Sequence, residues 1–269
     1  MSRFTKKKRE EIGLSPYAIV FRGQKKSDNI SIKVMDFNLE NLQEFSPKSL
    51  ESLSPLLKSK TISWINIDGL HDVDKMVEIA GTLKIPNNIL SDIMNPELRP
   101  KVQEYDDGLF ITIKILQLNE NTNQLTSENL SLILQKNTLI TFQEQEGKIF
   151  EPVRERIRKH KTKIRISGPD YLCFALLDVV IDNYIYITGQ LGENIETLEE
   201  NLTIEPKKSM LDEINHFKHE LNFLRKNTKP AKEMIIALVK SDSEFIKDEN
   251  HIHYRELQDN INEASELSD

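Results

Sequence analysis

The chain has 269 residues, enough for one or two domains with a real hydrophobic core. Charged residues make up 29% of it and the net charge is −7, which describes a helix-rich soluble protein rather than a disordered one and argues against a nucleic-acid binder. A single cysteine, Cys173, excludes an internal disulfide and fits a reducing compartment.

The first 15 residues are polar and basic (Lys6-Lys7-Lys8-Arg9), and no apolar run follows them as a secretory signal would require. Two strands are predicted, at Tyr17–Phe21 and Ile30–Val34, around a polar turn at Gln24–Asn29. Leu39 to Leu57 has helical spacing interrupted by Pro47 and Pro55. The alternating run Ile62–Ile67 predicts a strand. Asp72 is placed to cap a helix through Leu83, and Pro86 to start a short one over Asn87–Met94. Three strands follow, at Leu109–Leu118, Leu125–Leu134 and Thr138–Gln143, and then a basic helix from Val153 to about Lys163.

From Asp170 onward the pattern changes. Leu177, Ile181, Tyr184, Thr188, Leu191, Ile195, Leu198 and Leu202 recur in steps of four and three. After a break at Glu205-Pro206 the same rhythm runs from Met210 to Leu238, and a shorter one joins Tyr254, Leu257, Ile261 and Ala264. This is the period of helices packed along a seam. The stretch holds 21 Asp and Glu against 10 Lys and Arg, a net of −11, so the remainder carries +4.

The expected fold is therefore α/β: a mixed parallel and antiparallel sheet sandwiched by helices over residues 16–168, after a flexible basic N-terminus (1–15). Long acidic helices follow over 169–269, as a hairpin (169–248) and a further helix (250–269). No segment is expected to span a membrane, because the most apolar run, Leu172–Ile181, is short and contains Asp178.

Motifs for catalysis are missing. There is no Gly-rich phosphate loop and no HExxH, and no acid, base and nucleophile cluster that would make a hydrolase. Cys173 sits among Leu, Phe and Val, a structural setting. The basic run Arg154 to Arg165 reads as one half of a salt-bridge layer against the acidic helices. Asp178 and Asp182, four apart on one helix face, are either satisfied by basic neighbours or form part of a divalent-cation site with hard oxygen donors.

Several segments together resemble the CorA family of magnesium and cobalt transporters. They are Trp64-Ile65-Asn66-Ile67-Asp68-Gly69-Leu70-His71, Leu90-Ser91-Asp92-Ile93-Met94-Asn95 with Arg99-Pro100-Lys101-Val102, the strand pair Leu130–Leu134 and Leu139–Glu144, Pro152–Arg158, and Asp170-Tyr171-Leu172 with Asp178 and Asp182. The resemblance runs from about Tyr17 to the C-terminus. It implies the cytoplasmic part of a homopentameric, multi-pass transporter of the cell (inner) membrane, not an enzyme. The last helix would be the start of a stalk, with the two membrane helices and the Gly-Met-Asn signature of the family beyond this chain. Mg²⁺ would bind between subunits, with Asp92 of one and Glu256 of the next as ligands and Asp178 at a second position. Asp182 remains a candidate from its spacing. This chain has Ser91 where one example of the family carries a Glu, and Glu256 where that example carries an Asp. Metal occupancy would hold subunits closed, and loss of metal would let facing carboxylates repel. Co²⁺ is an alternative ion. A zinc-transporting relative would instead use softer donors such as His216, His219, His251 or His253. A coiled-coil scaffold without metal is the reading from a different class.

Overall fold

In the computed structural model, residues 13, 18–159, 162–204 and 210–268 are described. Seven strands form one sheet: β1 (Ser31–Phe37), β2 (Leu42–Phe45), β3 (Ile62–Asp68), β4 (Lys101–Tyr105), β5 (Gly108–Asn119), β6 (Gln124–Leu134) and β7 (Thr138–Gln143). Their order is β2-β1-β3-β7-β6-β5-β4, with β3–β7 the parallel pair among antiparallel neighbours. Side chains alternate between two cores. Trp64, Leu109, Ile111, Leu132 and Leu139 face one; Ile65, Ile67, Phe110, Ile133 and Ile140 face the other.

The second core is closed by α1 (Val73–Thr82) and α2 (Asn87–Ile93). Asp72 caps α1 as expected, its carboxylate accepting from the Lys75 N–H at 3.1 Å. The first core is closed by α3 (Glu151–Arg158) and by three long helices, α4 (Pro169–Ile204), α5 (Met210–Lys240) and α6 (His251–Leu267). The periodic residues identified from the sequence form their seam: Leu177, Ile181, Tyr184, Leu191, Leu224, Ile235, Tyr254, Leu257 and Ile261 are all buried. Toward the far end of the hairpin the seam opens, and Ile204, Leu211 and Ile214 are exposed.

Several sequence expectations change. The basic stretch 1–12, Tyr17 and the break at Glu205-Pro206 lie outside the described residues. Residues 18–22 are irregular rather than a strand. The Ala18 carbonyl accepts from Ser91 Oγ and the Arg22 N–H donates to the Met94 carbonyl, so the segment is tied to the end of α2 and not to a ladder. The helical spacing of Leu39–Leu57 gives β2 and two short 3₁₀ turns, Leu50–Leu53 and Leu56–Lys58. Local turn chemistry decides this. Asn38 Oδ1 accepts from the backbone N–H groups of Glu40 and Asn41, closing a hairpin that reverses β1 into β2. β4 is an additional edge strand, joined to β5 by the two-residue turn Asp106-Asp107. The basic helix ends at Arg158 instead of Lys163. The buried Arg165 donates from Nε to the Ile157 carbonyl at 2.6 Å, satisfying a free carbonyl at that helix end.

Part of the basic run faces the acidic helices, Arg156 acting on the charge of Asp178 on α4 and Lys163 meeting His253 on α6, and part turns elsewhere. Arg158 grips Glu44 of β2 through both Nε and Nη2, at 2.8 and 2.9 Å, and Arg154 lies 5.0 Å from the Trp64 ring. α4 also corrects the membrane expectation. Among the described residues it is long and apolar enough to cross a membrane, with a mean hydropathy of 1.5 over its most apolar window, yet 61% of that window is buried inside the protein. Cys173 on α4 is fully buried, and that burial pushes its thiol up to about 12.

Candidate metal site

Asp92 stands on α2, whose Ile89, Leu90 and Ile93 are buried in the second core, leaving the carboxylate half-exposed at the helix edge. Its Oδ2 lies 2.6 Å from Lys101 Nζ on β4. Ser91, beside it, is buried and donates its hydroxyl proton to the Ala18 carbonyl, and it carries no carboxylate to add to Asp92.

The other three candidates stand on the opposite face of the sheet. Asp178 and Asp182 are on α4 and Glu256 is on α6, helices that close the first core. Asp178 is half-buried and its carboxyl is pushed up to about 6. Burial is the largest cause, the neighbouring charges of Asp182 and Glu256 add to it, and Arg156 and His253 oppose it. These acids therefore feel one another, and the structure gathers three of the four predicted ligands into one electrostatic neighbourhood. Asp92 is not among them. Among the described residues no group of three or more His, Cys, Asp and Glu side chains is placed to hold a metal ion.

Glu256 itself is exposed, and its Oε2 lies 3.1 Å from His253 Nδ1. His253 Nε2 lies 2.7 Å from Lys163 Nζ, and the ring stands against Tyr171 and Phe174 at 5.2 and 5.0 Å. Nε2 of the ring thus faces the Lys163 ammonium and Nδ1 faces the Glu256 carboxylate. Of the histidines flagged as softer donors, His253 is the one that contacts a candidate carboxylate ligand; His216 faces Glu220 instead, at 3.7 Å. A cavity of about 450 Å³ between α4 and α5 is lined by Leu198, Leu202, Phe217 and Leu221 and by none of the four candidate carboxylates.

The sequence profile of the CorA-like Mg²⁺ transporter proteins matches residues 59–269. The chain belongs to the CorA-like Mg²⁺ transporter family. Consistently, it is 34% identical over 247 residues to the cobalt/magnesium transport protein CorA of Thermotoga maritima, covering 92% of this chain and 70% of that protein. The fold matches the soluble domain of CorA from Methanocaldococcus jannaschii with a TM-score of 0.72 at 16% identity, over 89% of this chain and 90% of that one. The ZntB cytoplasmic domain from Vibrio parahaemolyticus is also similar, with a TM-score of 0.65 at 16% identity over 89% of this chain and 91% of that one. The fold is thus common to CorA and ZntB proteins, and ion preference has to be argued from side chains.

Two features around these candidate residues were not found by sequence reasoning. Lys101 lies in the Arg99-Pro100-Lys101-Val102 segment that carried the resemblance, but its pairing with Asp92 depends on the unpredicted strand β4. Lys163 was assigned to a helix; it lies in a 3₁₀ turn that delivers it to His253.

Proposed function

We propose that this chain is the Mg²⁺-responsive cytoplasmic part of a CorA-like divalent-cation transporter, with regulatory metal held between neighbouring copies in a homopentamer. Asp92 of one copy would face Glu256 and Asp178 of the next. The observation that carries this reading is the placement of the acids. Asp182 on α4 and Glu256 on α6 both act on the charge of Asp178, which is driven toward its protonated form, while Asp92 stands across the sheet on α2. Such a set is incomplete in one chain and becomes complete when a second supplies the missing side. All the donors are carboxylate oxygens, which suits a small hard cation that keeps several of its waters. The bound charge would relieve the repulsion around Asp178 and tie the copies together. Its loss would loosen them, which is the gating step. In the full-length protein this part would lie on the cytoplasmic side of the cell membrane. The metal here senses and does no catalysis.

Zn²⁺ is the second reading, beside Co²⁺ as an alternative ion in the first, and His253 is the observation in its favour, since it places an imidazole against Glu256. Titration with Mg²⁺ and Zn²⁺ in parallel separates the ions. For the Mg²⁺ reading, Asp92→Asn is expected to remove most of the protection that Mg²⁺ gives the wild-type chain in limited proteolysis. Unchanged protection in that variant would rule out Asp92 as a ligand.

A further inference from the structure

The side chain of Lys101 is held by three different groups. Its Nζ lies 2.6 Å from Asp92 Oδ2, 2.9 Å from Gln103 Oε1 and 5.7 Å from the centroid of the Phe110 ring. The strand dictates this arrangement. Lys101 and Gln103 are two apart on β4 and so share a face, and Phe110 is the residue of β5 paired with Gln103. A carboxylate, an amide oxygen and an aromatic face together make a cation pocket, and the cation filling it belongs to the protein. Its partner Asp92 is the carboxylate assigned above to the metal.

We propose that Lys101 is a tethered counter-cation that competes with the divalent metal for Asp92 and so sets the concentration at which the site fills. The inference rests on the assignment of Asp92 as a ligand. When metal is scarce, the ammonium occupies the carboxylate and stops Asp92 from standing as a bare charge. When metal arrives, Lys101 has to leave. It is about one-third exposed, and its flexible stem lets the ammonium swing into water while Gln103 stays as a neutral oxygen beside the metal's hydration shell. On the opposite ligand wall the lysine is one step removed, Lys163 meeting His253 and His253 meeting Glu256.

Competition makes a prediction opposite in sign to that of a purely orienting lysine. If the ammonium holds Asp92 about nine-tenths of the time, the apparent Kd for metal is raised about tenfold, and removing the ammonium returns that factor. Isothermal titration of the full chain with MgCl₂ tests this on wild type, Lys101→Gln, Lys101→Met, Lys101→Arg and Asp92→Asn. Competition predicts that Gln and Met lower the Kd by roughly three- to tenfold and that Arg, which keeps the charge, leaves it unchanged or raises it. The Met variant guards against glutamine re-forming a hydrogen bond to Asp92, and matching far-ultraviolet dichroism checks that each variant is folded. An unchanged or raised Kd in folded Lys101→Gln and Lys101→Met, with binding lost in Asp92→Asn, overturns the competition. Full binding in Asp92→Asn removes the site itself and is distinguishable from that outcome.

Discussion

Replacing Asp170 by alanine is expected to destabilise the chain by about 2–4 kcal/mol and to free the start of α6. Asp170 is 1% exposed at the beginning of α4. Its Oδ2 accepts from the Lys247 N–H at 3.0 Å and from Asn250 Nδ2 at 2.8 Å, both in the connection between α5 and α6. Its own carbonyl accepts from the Tyr254 hydroxyl at 2.9 Å. One residue thus fastens α4 to α6 and to the connection that leads into it. Alanine removes this acceptor from the buried Asn250 amide and from the part-buried Lys247 N–H, and each such loss costs about 1–3 kcal/mol. Asparagine keeps an oxygen and should cost less. Urea unfolding gives the stability, and hydrogen exchange at residues 250–257 reports the release of α6. A midpoint for Asp170→Ala close to that of wild type would contradict the fastening role.

The second large effect depends on pH. Burial, Asp182 and Glu256 push the Asp178 carboxyl up to about 6, above its unfolded value, while Arg156 and His253 pull the other way. Below about pH 6 the folded chain therefore binds a proton at Asp178 that the unfolded chain releases until the pH nears 4. Without metal, this group makes folding more favourable as pH falls from 7 toward 4, and its ionised form is a burden at pH 7. Asp68, raised to about 6 chiefly by burial, contributes with the same sign. Asp178→Asn separates the two. At pH 7 without Mg²⁺ the variant should melt above wild type, and the difference should shrink as the pH drops below 6. With excess Mg²⁺ at pH 7 the order should reverse, because the wild-type carboxylate is then neutralised by a cation the variant binds more weakly. A constant difference between the two proteins from pH 7 to 5, measured by thermal melting, would mean that Asp178 is not the titrating group.

How far the sequence reaches can be followed residue by residue. The helices α4, α5 and α6 were visible because a buried seam imposes its period on Leu177, Ile181, Tyr184 and their successors. The strands β3, β5, β6 and β7 were visible because they lie inside the sheet and carry runs of apolar residues. The edge strands were not. β4 is Lys-Val-Gln-Glu-Tyr, a polar, half-exposed stretch defined by its pairing with β5, and β2 exists because the Asn38 turn overrides the helical spacing around it. Asp178 and Asp182 announced themselves by their spacing, whereas Asp92 and Glu256 came only from the resemblance to CorA proteins. Lys101 shows why the rest stayed hidden. A pair nine residues apart, joined across a helix end and a sheet edge, leaves no periodic trace. The same holds for the chain of hydrogen bonds from Trp64 through Thr141 and Asn66 to Asp68, which links alternate residues of one strand through its parallel neighbour.

Mixing variants tests most directly whether metal is held by Asp92 of one copy and Glu256 of another. Asp92→Asn retains Glu256, and Glu256→Gln retains Asp92, so each alone lacks a complete junction. In an equimolar mixture of rings, roughly one junction in four combines the two intact sides. Light scattering and limited proteolysis, with and without Mg²⁺, should show little Mg²⁺-dependent assembly or protection for either variant alone and a partial recovery for the mixture. A mixture that responds to Mg²⁺ no better than its separate components would contradict a metal shared between copies.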